Sequence, residues 1–244
     1  MTLSSDIIIT KLAPPLLRQE LVVREVLRND IFAQSLKKLT FISAGAGFGK
    51  TTLMASLYHN YDDKNIRRAW ITLDSDDKNE VRFLKYLIAC LRQNHIIATD
   101  HAEMILESQS QNRSSSILTT LINEMAKSTQ KIVLFLDDYH LVDGPEVGPI
   151  VEYLISHAPP NFHLIIASRT KAELPLSTLK ARNDLQEVSD DHLRFSVDET
   201  RDFLRVAHQI NLTDSLIERL QNKTEGWIAG LQLVSLILKD NRHK

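Results

Sequence analysis

A glycine-rich segment followed by a lysine and two threonines carries the clearest chemistry in this sequence. It reads AGAGFGKTT over residues 44–52 and differs from the pattern GxxxxGK[ST] in having alanine at the first position. Glycines let backbone N–H groups turn inward around an anion, and a following helix points its positive end at the same place. The lysine supplies charge to β- and γ-phosphates, and the hydroxyl is placed to ligate Mg²⁺. The segment predicts a phosphate-binding loop for a purine nucleoside triphosphate with Mg²⁺.

The alternative for this segment is a glycine-rich turn with an incidental lysine. The hydrophobic pattern argues against it, because it independently predicts a strand before the loop and a helix after it. The predicted nucleotide-binding residues of the loop are Gly45, Ala46, Gly47, Phe48, Gly49, Lys50, Thr51 and Thr52.

Two aspartates close the most hydrophobic run of the chain, KIVLFL at residues 131–136. A carboxylate at the end of a buried strand is expected to hold Mg²⁺ through its water shell, so Asp137 and Thr51 form the predicted metal site. Asp138 is predicted to orient or deprotonate the attacking water. The alternative is that the pair only caps the strand before the turn at 143–145, and Asp138 in particular could merely bind water.

Two further polar residues follow predicted strands. Arg169 is expected beside the γ-phosphate, where bidentate contacts can distinguish a triphosphate from a diphosphate. A surface arginine at a helix start is the other interpretation. Asp74 either joins the water network around the metal or simply begins an acidic loop, and the sequence does not decide between these roles.

Apolar runs that alternate with helical patterns predict how these residues are brought together. The runs are apolar throughout, which indicates a parallel sheet covered on both faces by helices. Ligands bind at the carboxyl ends of the strands in such sheets. The predicted strands are 39–43, 69–73, 131–136, 162–167 and a possible fifth at 185–188. Helices are predicted at 50–59 and 80–93. A third helix, capped by Ser114 or Ser115, is predicted to follow a polar loop at 107–116 and to end at about 127.

The pattern changes after residue 188. Ser196 and Glu199 form a capping box, and helices without strands are expected at 197–208, 213–223 and 226–239. The predicted fold is therefore an α/β P-loop NTPase with a five-stranded parallel sheet, followed by a small helical domain. The expected boundaries are an N-terminal arm at 1–37 with a short helix at 20–32, a nucleotide-binding domain at 38–190 and a helical domain at 191–244.

Composition narrows the class of protein. The 244 residues carry a formal net charge of -2, which argues against a nucleic-acid clamp. The single cysteine, Cys90, cannot form an internal disulfide and lies on the apolar face of a predicted helix, so an inert core thiol is favoured over a nucleophile. The sequence has neither a secretory signal nor an apolar run long enough to span a membrane, and we expect a cytoplasmic protein.

Several segments, in order along almost the whole chain, resemble the N-terminal part of MalT-like transcription activators. These activators are signal-transducing ATPases with numerous domains, related to apoptosome and plant resistance ATPases. The segments are VVRE at 22–25, AGFGKTTL at 46–53, WITLDSDDKN at 70–79, LDDYHLV at 136–142, ASR at 167–169 and EGWIAGLQL at 225–233.

The resemblance implies an ATP/ADP switch. ATP and an inducer would favour an open, self-associating form, ADP a resting form, and slow hydrolysis would reset the protein. Arg24 matches an arm position that touches the nucleotide base, and Trp227 matches a signature tryptophan of the helical domain. Effector binding, and DNA binding through a LuxR-type helix-turn-helix, would belong to further domains that normally follow.

Two other functions stay open. A related switch could act through protein assembly without DNA, and a helix-turn-helix beyond residue 244 would separate it from a transcription activator. A small-molecule kinase on the same fold would carry an arginine-rich lid, and no such lid stands out. Any enzymatic activity is expected to be a weak regulatory ATPase at most.

Overall fold

The computed structural model describes residues 6–17, 22, 24, 27, 31, 37–60, 65–108 and 112–240. A five-stranded sheet lies at its centre, in the order β2-β3-β4-β1-β5, and every pairing is parallel. The strands are β1 (Leu39–Ser43), β2 (Ile66–Thr72), β3 (Lys131–Asp137), β4 (Phe162–Ser168) and β5 (Leu185–Ser189). The predicted fold class, including the possible fifth strand, is confirmed.

The three central strands of the sheet, β1, β3 and β4, are buried on both faces. In β3, for example, Leu134 joins one apolar cluster, whereas its neighbours Val133 and Phe135 join the other. Successive side chains of a strand point to opposite faces, so an uninterrupted apolar run supplies two cores at once. Cys90 is fully buried in the first of these cores, where burial raises the pKa of its thiol, and the interpretation as a core thiol is confirmed.

Helices cover the two faces of the α/β unit, which comprises residues 38–190. Their bounds are α1 (Lys50–Asn60), α2 (Glu80–Gln93), α3 (Asp100–Glu107), α4 (Arg113–Ala126), α5 (Gly148–His157) and α6 (Leu176–Ala181). Short 3₁₀ turns lie at Ser75–Lys78 and Tyr139–Leu141. None of the described helices is both long enough and apolar enough to cross a membrane.

The helices after β5 form the C-terminal helical unit, residues 191–240, reached through the short α7 (Asp190–Leu193). It contains α8 (Val197–Asp202), a π-helical turn at Phe203–Ala207, α9 (Asp214–Thr224) and α10 (Ile228–Asp240). The predicted capping box is confirmed: Ser196 Oγ accepts from the Glu199 N–H at 3.1 Å, and Glu199 Oε2 accepts from the Ser196 N–H at 2.8 Å.

Two local predictions are wrong, and some helices were not anticipated. The stretch at 107–116 is not one loop, because α3 reaches Glu107 and α4 already begins at Arg113. Asn112, in a left-handed conformation, precedes α4, and neither Ser114 nor Ser115 caps it. The helices α3, α5 and α6 were not anticipated, although the buried residues Val151, Leu154 and Ile155 of α5 lie on one face with helical spacing. The predicted arm helix at 20–32 lies almost wholly outside the described residues.

Candidate phosphate-binding site

The loop between β1 and α1 has the backbone that its glycines predict. Gly47 and Gly49 adopt φ angles of 78° and 80°, a region that side-chain-bearing residues rarely enter. Lys50 is the first residue of α1. The loop therefore delivers its lysine and threonine to the N-terminal end of a helix, where backbone N–H groups and the helix dipole favour an anion.

Lys50 is held inside the loop. Its Nζ donates to the carbonyl oxygens of Ala44 and Gly45, each at 2.8 Å, and the residue is only 7% exposed. Burial and the nearby Arg169 lower the pKa of the lysine, while Asp138 and Asp137 act in the opposite direction. The structure thus brings one lysine, one arginine and two aspartates into a single electrostatic cluster.

The side chains of Thr51 and Asp137 meet, although Thr51 lies in the first turn of α1 and Asp137 ends β3. The Asp137 carboxylate is 2% exposed and accepts hydrogen bonds from the Thr51 hydroxyl and from the Asp138 N–H, the latter at 3.0 Å. Burial and the adjacent Asp138 raise the pKa of Asp137 to about 6, and the bond from Thr51 opposes this rise. Two adjoining oxygen donors of this kind fit Mg²⁺, which proteins usually bind through one or two such groups together with substrate phosphates.

Asp138 occupies a strained turn directly after β3. Its φ and ψ of 57° and 36° lie in the left-handed region, and its side chain is 31% exposed. His140 lies beside it, with Nδ1 at 3.9 Å from Asp138 Oδ1, and the His140 Nδ1 is a buried atom without a hydrogen-bond partner among the described residues. Burial lowers the pKa of His140, Asp138 raises it, and the charges of Arg169 and Lys50 lower it further.

Arg169 follows the end of β4 and is exposed. Because β4 lies between β1 and β3 in the sheet, this arginine emerges between the phosphate-binding loop and Asp137. Its charge acts on both Lys50 and His140. The predicted neighbourhood of Arg169, Lys50 and the two aspartates is therefore present at one edge of the sheet.

The C-terminal helical unit touches the phosphate-binding loop directly. Trp227 donates its Nε1–H to the Ala46 carbonyl at 3.1 Å, and the Ala229 N–H donates to the Gly47 carbonyl at 3.1 Å. Both bonds use carbonyl oxygens of the loop. They therefore leave the loop's N–H groups to an anion.

Close packing explains why two glycines of the loop cannot be replaced easily. A Cβ on Gly47 would lie 2.5 Å from Ala229 Cβ, and one on Gly49 would lie 2.8 Å from Ile228 Cδ1. These two glycines thus allow the loop its backbone conformation and also allow α10 to pack closely against the loop. Sequence reasoning assigned them only the first role, because the contact joins segments about 180 residues apart.

The side chain of Arg24 is hydrogen-bonded to the C-terminal helical unit. Its guanidinium donates to Glu199 at 2.8 Å and to three successive backbone carbonyls, of His192, Leu193 and Arg194, at 2.9–3.0 Å. It also borders the cavity described below. Arg24 therefore connects the arm to the start of the C-terminal helical unit through hydrogen bonds.

Asp74 belongs to the acidic loop after β2. Its carboxylate accepts from the Asp76 N–H and from Lys11 Nζ, each at 3.0 Å, and caps the 3₁₀ turn that follows. The buried Asp77 also contacts Lys11. Of the two roles left open for Asp74, the structure favours the structural one.

Sequence reasoning missed His140 and the contacts of residues 228 and 229 with the loop. The position of His140, two residues after Asp138 and within the LDDYH segment, was the available signal. For Ile228 and Ala229 the signal was weaker, since they follow Trp227 in an otherwise ordinary helical pattern.

A family model described as "Nephrocystin 3, N-terminal" matches residues 20–169. The chain is 31% identical over 237 residues to the HTH-type transcriptional regulator MalT of Klebsiella pneumoniae, which covers 95% of this chain and 25% of that protein. It is 30% identical over 230 residues to the serine/threonine-protein kinase PknK of Mycobacterium tuberculosis, covering 94% and 21%. The chain thus spans about a quarter or less of the length of these relatives.

Solved structures share the fold at low sequence identity. The Walker-type ATPase PABY2304 of Pyrococcus abyssi superimposes with a TM-score of 0.54 at 12% identity, covering 90% of this chain and 68% of that one. Cdc6p of Pyrobaculum aerophilum gives 0.57 at 14% identity, covering 94% and 65%. The phosphate-binding loop on this fold makes the chain a nucleotide-binding module.

Proposed function

Since the chain belongs to the Nephrocystin 3 N-terminal family and is a MalT-like N-terminal portion, we propose that it is an ATP/ADP-binding regulatory switch. In this proposal ATP favours an active, self-associating state of the longer protein, and slow hydrolysis to ADP returns it to rest. The module acts in the cytoplasm, while an effector and DNA are bound by other domains of a MalT-like transcription activator.

The observation that carries this proposal is the pair of hydrogen bonds from Trp227 and Ala229 to the phosphate-binding loop. A ligand shifts a conformational equilibrium only by its difference in affinity for the two states. Here the loop that would hold the phosphates is also the surface on which α10 rests. A change at the phosphates can therefore alter the position of the C-terminal helical unit.

The residues of the α/β unit have separate roles in the proposed binding and hydrolysis of ATP. Lys50 and the loop N–H groups hold the phosphates, while Thr51 and Asp137 would hold Mg²⁺. The metal would supply charge neutralisation at the phosphate oxygens. Asp138 orients the attacking water and accepts its proton, and its strained backbone places the carboxylate beside the cluster rather than in the strand.

Arg169 is the proposed sensor of the γ-phosphate. It is exposed at the end of β4, and its charge already acts on Lys50. An arginine can bind a phosphate through two N–H groups at once, so gain or loss of the γ-phosphate changes its position. The short segment at 189–196 then carries the movement to the C-terminal helical unit.

An alternative output is assembly with other proteins instead of DNA binding. One relative of this chain is named a transcriptional regulator and another a protein kinase, although both match it over at least 94% of its length. The same module therefore accompanies different outputs.

The test uses Arg169→Ala, with Arg182→Ala as a matched control, because Arg182 is exposed but lies near the amino end of β5. Small-angle scattering and protease sensitivity of residues 189–196 are measured with ATP and with ADP. We expect the parent and the control to differ between nucleotides, and Arg169→Ala to narrow that difference while still binding ADP. Identical profiles of the parent protein with both nucleotides would overturn the switch.

A further inference from the structure

A cavity of about 320 Å³ lies between the arm, the phosphate-binding loop and the C-terminal helical unit. Its volume is at the lower end of the roughly 300–1,000 Å³ usual for small-molecule sites. It opens beside Gly49 and Thr52, next to the predicted phosphate position. The base and sugar of a nucleotide bound at the loop would enter this cavity.

The described walls of the cavity are mostly apolar. Among them, polar side chains come from Arg24, Thr52, Ser56, His208 and Gln232. Arg24 already donates to Glu199 and three carbonyls. Thr52 and Ser56 lie on α1 at the loop side. His208 and Gln232 are the polar pair on the opposite wall, where they can meet the edge of a base.

The geometry of this pair orients the amide of Gln232. His208 Nε2 lies 3.1 Å from Gln232 Oε1, and His208 is 7% exposed with its ring against Phe203 at 4.8 Å. With Oε1 as the atom nearest the ring, the bond forms in the His208 tautomer that carries its proton on Nε2, and the amide N–H₂ then points away from the ring. The π-helical turn at Phe203–Ala207, a feature that often marks functional positions, brings His208 to the cavity.

We propose that Gln232, oriented by His208, selects adenine over guanine. The amide Oε1 retains a lone pair for the exocyclic amine of adenine, and its N–H₂ can donate to a ring nitrogen. Guanine presents a carbonyl oxygen where adenine has the amine, which places two acceptors face to face. With the proton of His208 on Nε2, reversing the amide would break its bond with this ring. Gln232 is thus a specificity-determining residue and His208 a positioning residue.

This inference rests on the proposed nucleotide binding at the loop. The test measures dissociation constants of the whole chain for ATP, GTP and inorganic tripolyphosphate by calorimetry. The variants are Gln232→Leu, Gln232→Met and His208→Phe, and Gln186→Leu on β5 is a control outside the cavity. The parent and control are expected to prefer ATP by about tenfold or more, in the range of a bidentate base contact.

Gln232→Leu should reduce that preference to within about twofold by weakening ATP. Tripolyphosphate affinity should not change. His208→Phe keeps the aromatic contact but frees the amide to rotate, so it should improve GTP relative to ATP. If Gln232→Leu does not fold, Gln232→Met, which has a similar length but neither the acceptor nor the donor, must still lower the ATP preference.

The outcomes separate the two proposals. A parent protein that binds neither nucleotides nor tripolyphosphate overturns the proposed function. If the parent binds ATP and GTP equally, or the folded Gln232 variants retain its preference, then base selection by Gln232 is wrong and nucleotide binding stands. An unchanged preference in His208→Phe alone removes the positioning role of His208.

Discussion

The α/β unit and the C-terminal helical unit differ in the size of their apolar cores. The sheet separates two large clusters, with side chains such as Trp70, Phe83 and Phe135 fully buried. The buried cluster of the C-terminal unit is small: Phe195, Phe203, Leu204, Ile210 and Leu231. Large apolar side chains of that unit are also exposed, among them Val206, Leu216, Trp227, Leu233, Leu236 and Ile237.

This difference indicates which part is rigid and which part can move. Stability from apolar burial grows with the area removed from water, so the α/β unit is held by its own interior. The C-terminal unit gains part of its position from polar contacts with its neighbours, at Arg24 and at the phosphate-binding loop. Contacts of that kind can be exchanged at small cost, whereas a filled core cannot.

The largest expected effect concerns chemistry in the α/β unit. Asp138→Ala should leave ATP bound but slow its hydrolysis by about 10²-fold or more, because the water loses its orienting base. Phosphate release under saturating ATP measures the rate, and calorimetry measures binding. Asp76→Ala, an exposed acid in the loop after β2, is the control. Turnover by Asp138→Ala equal to that of the control would remove the proposed role.

The next largest effect should be a loss of stability in the C-terminal helical unit that leaves the stability of the sheet unchanged. At Gly226, φ is 71°, and a Cβ there would lie 2.3 Å from the Phe195 carbonyl oxygen. We expect Gly226→Ala to destabilise this unit by about 2 kcal/mol or more. Hydrogen exchange should rise over residues 197–240 and stay unchanged in β3.

Gly148→Ala is the matched control for this substitution. Gly148 begins α5, and an added Cβ would meet nothing within 4 Å. This control should be neutral or slightly stabilising, since alanine favours helix. If exchange in β3 rises together with exchange in the C-terminal unit, the two units unfold as one and the comparison above is wrong.

Loss of the loop lysine should weaken binding and spare the contacts between units. Lys50→Ala removes the buried charge expected at the β- and γ-phosphates, so ATP affinity should fall tenfold or more, which is about 1.4 kcal/mol. Calorimetry measures the affinity, with Lys127→Ala as a surface control because that side chain is 71% exposed. Unchanged binding by Lys50→Ala would contradict the assignment of the phosphate-binding loop.

The smallest effect tests one hydrogen bond between the units. Trp227→Phe retains most of the ring but loses the N–H that donates to Ala46. The cost should be about 1 kcal/mol, seen as faster hydrogen exchange over 228–240 with little change in β1. An increase as large as that of Gly226→Ala would mean that the ring, rather than the hydrogen bond, holds the unit in place.

Most secondary structure of the α/β unit could be predicted because its signals are local. The β1 run and the α2 periodicity gave the observed bounds, Leu39–Ser43 and Glu80–Gln93. The capping box at Ser196 was equally readable, since both partners lie within one turn. Prediction failed at the short helices α3 and α6, at α5 although its buried face has helical spacing, and at the start of α4, where the backbone of Asn112 is left-handed.

The sequence by itself determined the phosphate-binding loop and the polar residues at strand ends, because glycine spacing and uninterrupted apolar runs are local consequences of backbone freedom and burial. Only the tertiary structure decided that β4 lies between β1 and β3 and so brings Arg169 near Lys50. It also decided that α10 rests on the loop and that His208 and Gln232 share one cavity wall. The order of the strands and the packing of α10 on the loop depend on contacts between segments that are distant in the sequence. Such contacts produce no hydrophobic periodicity in either segment alone.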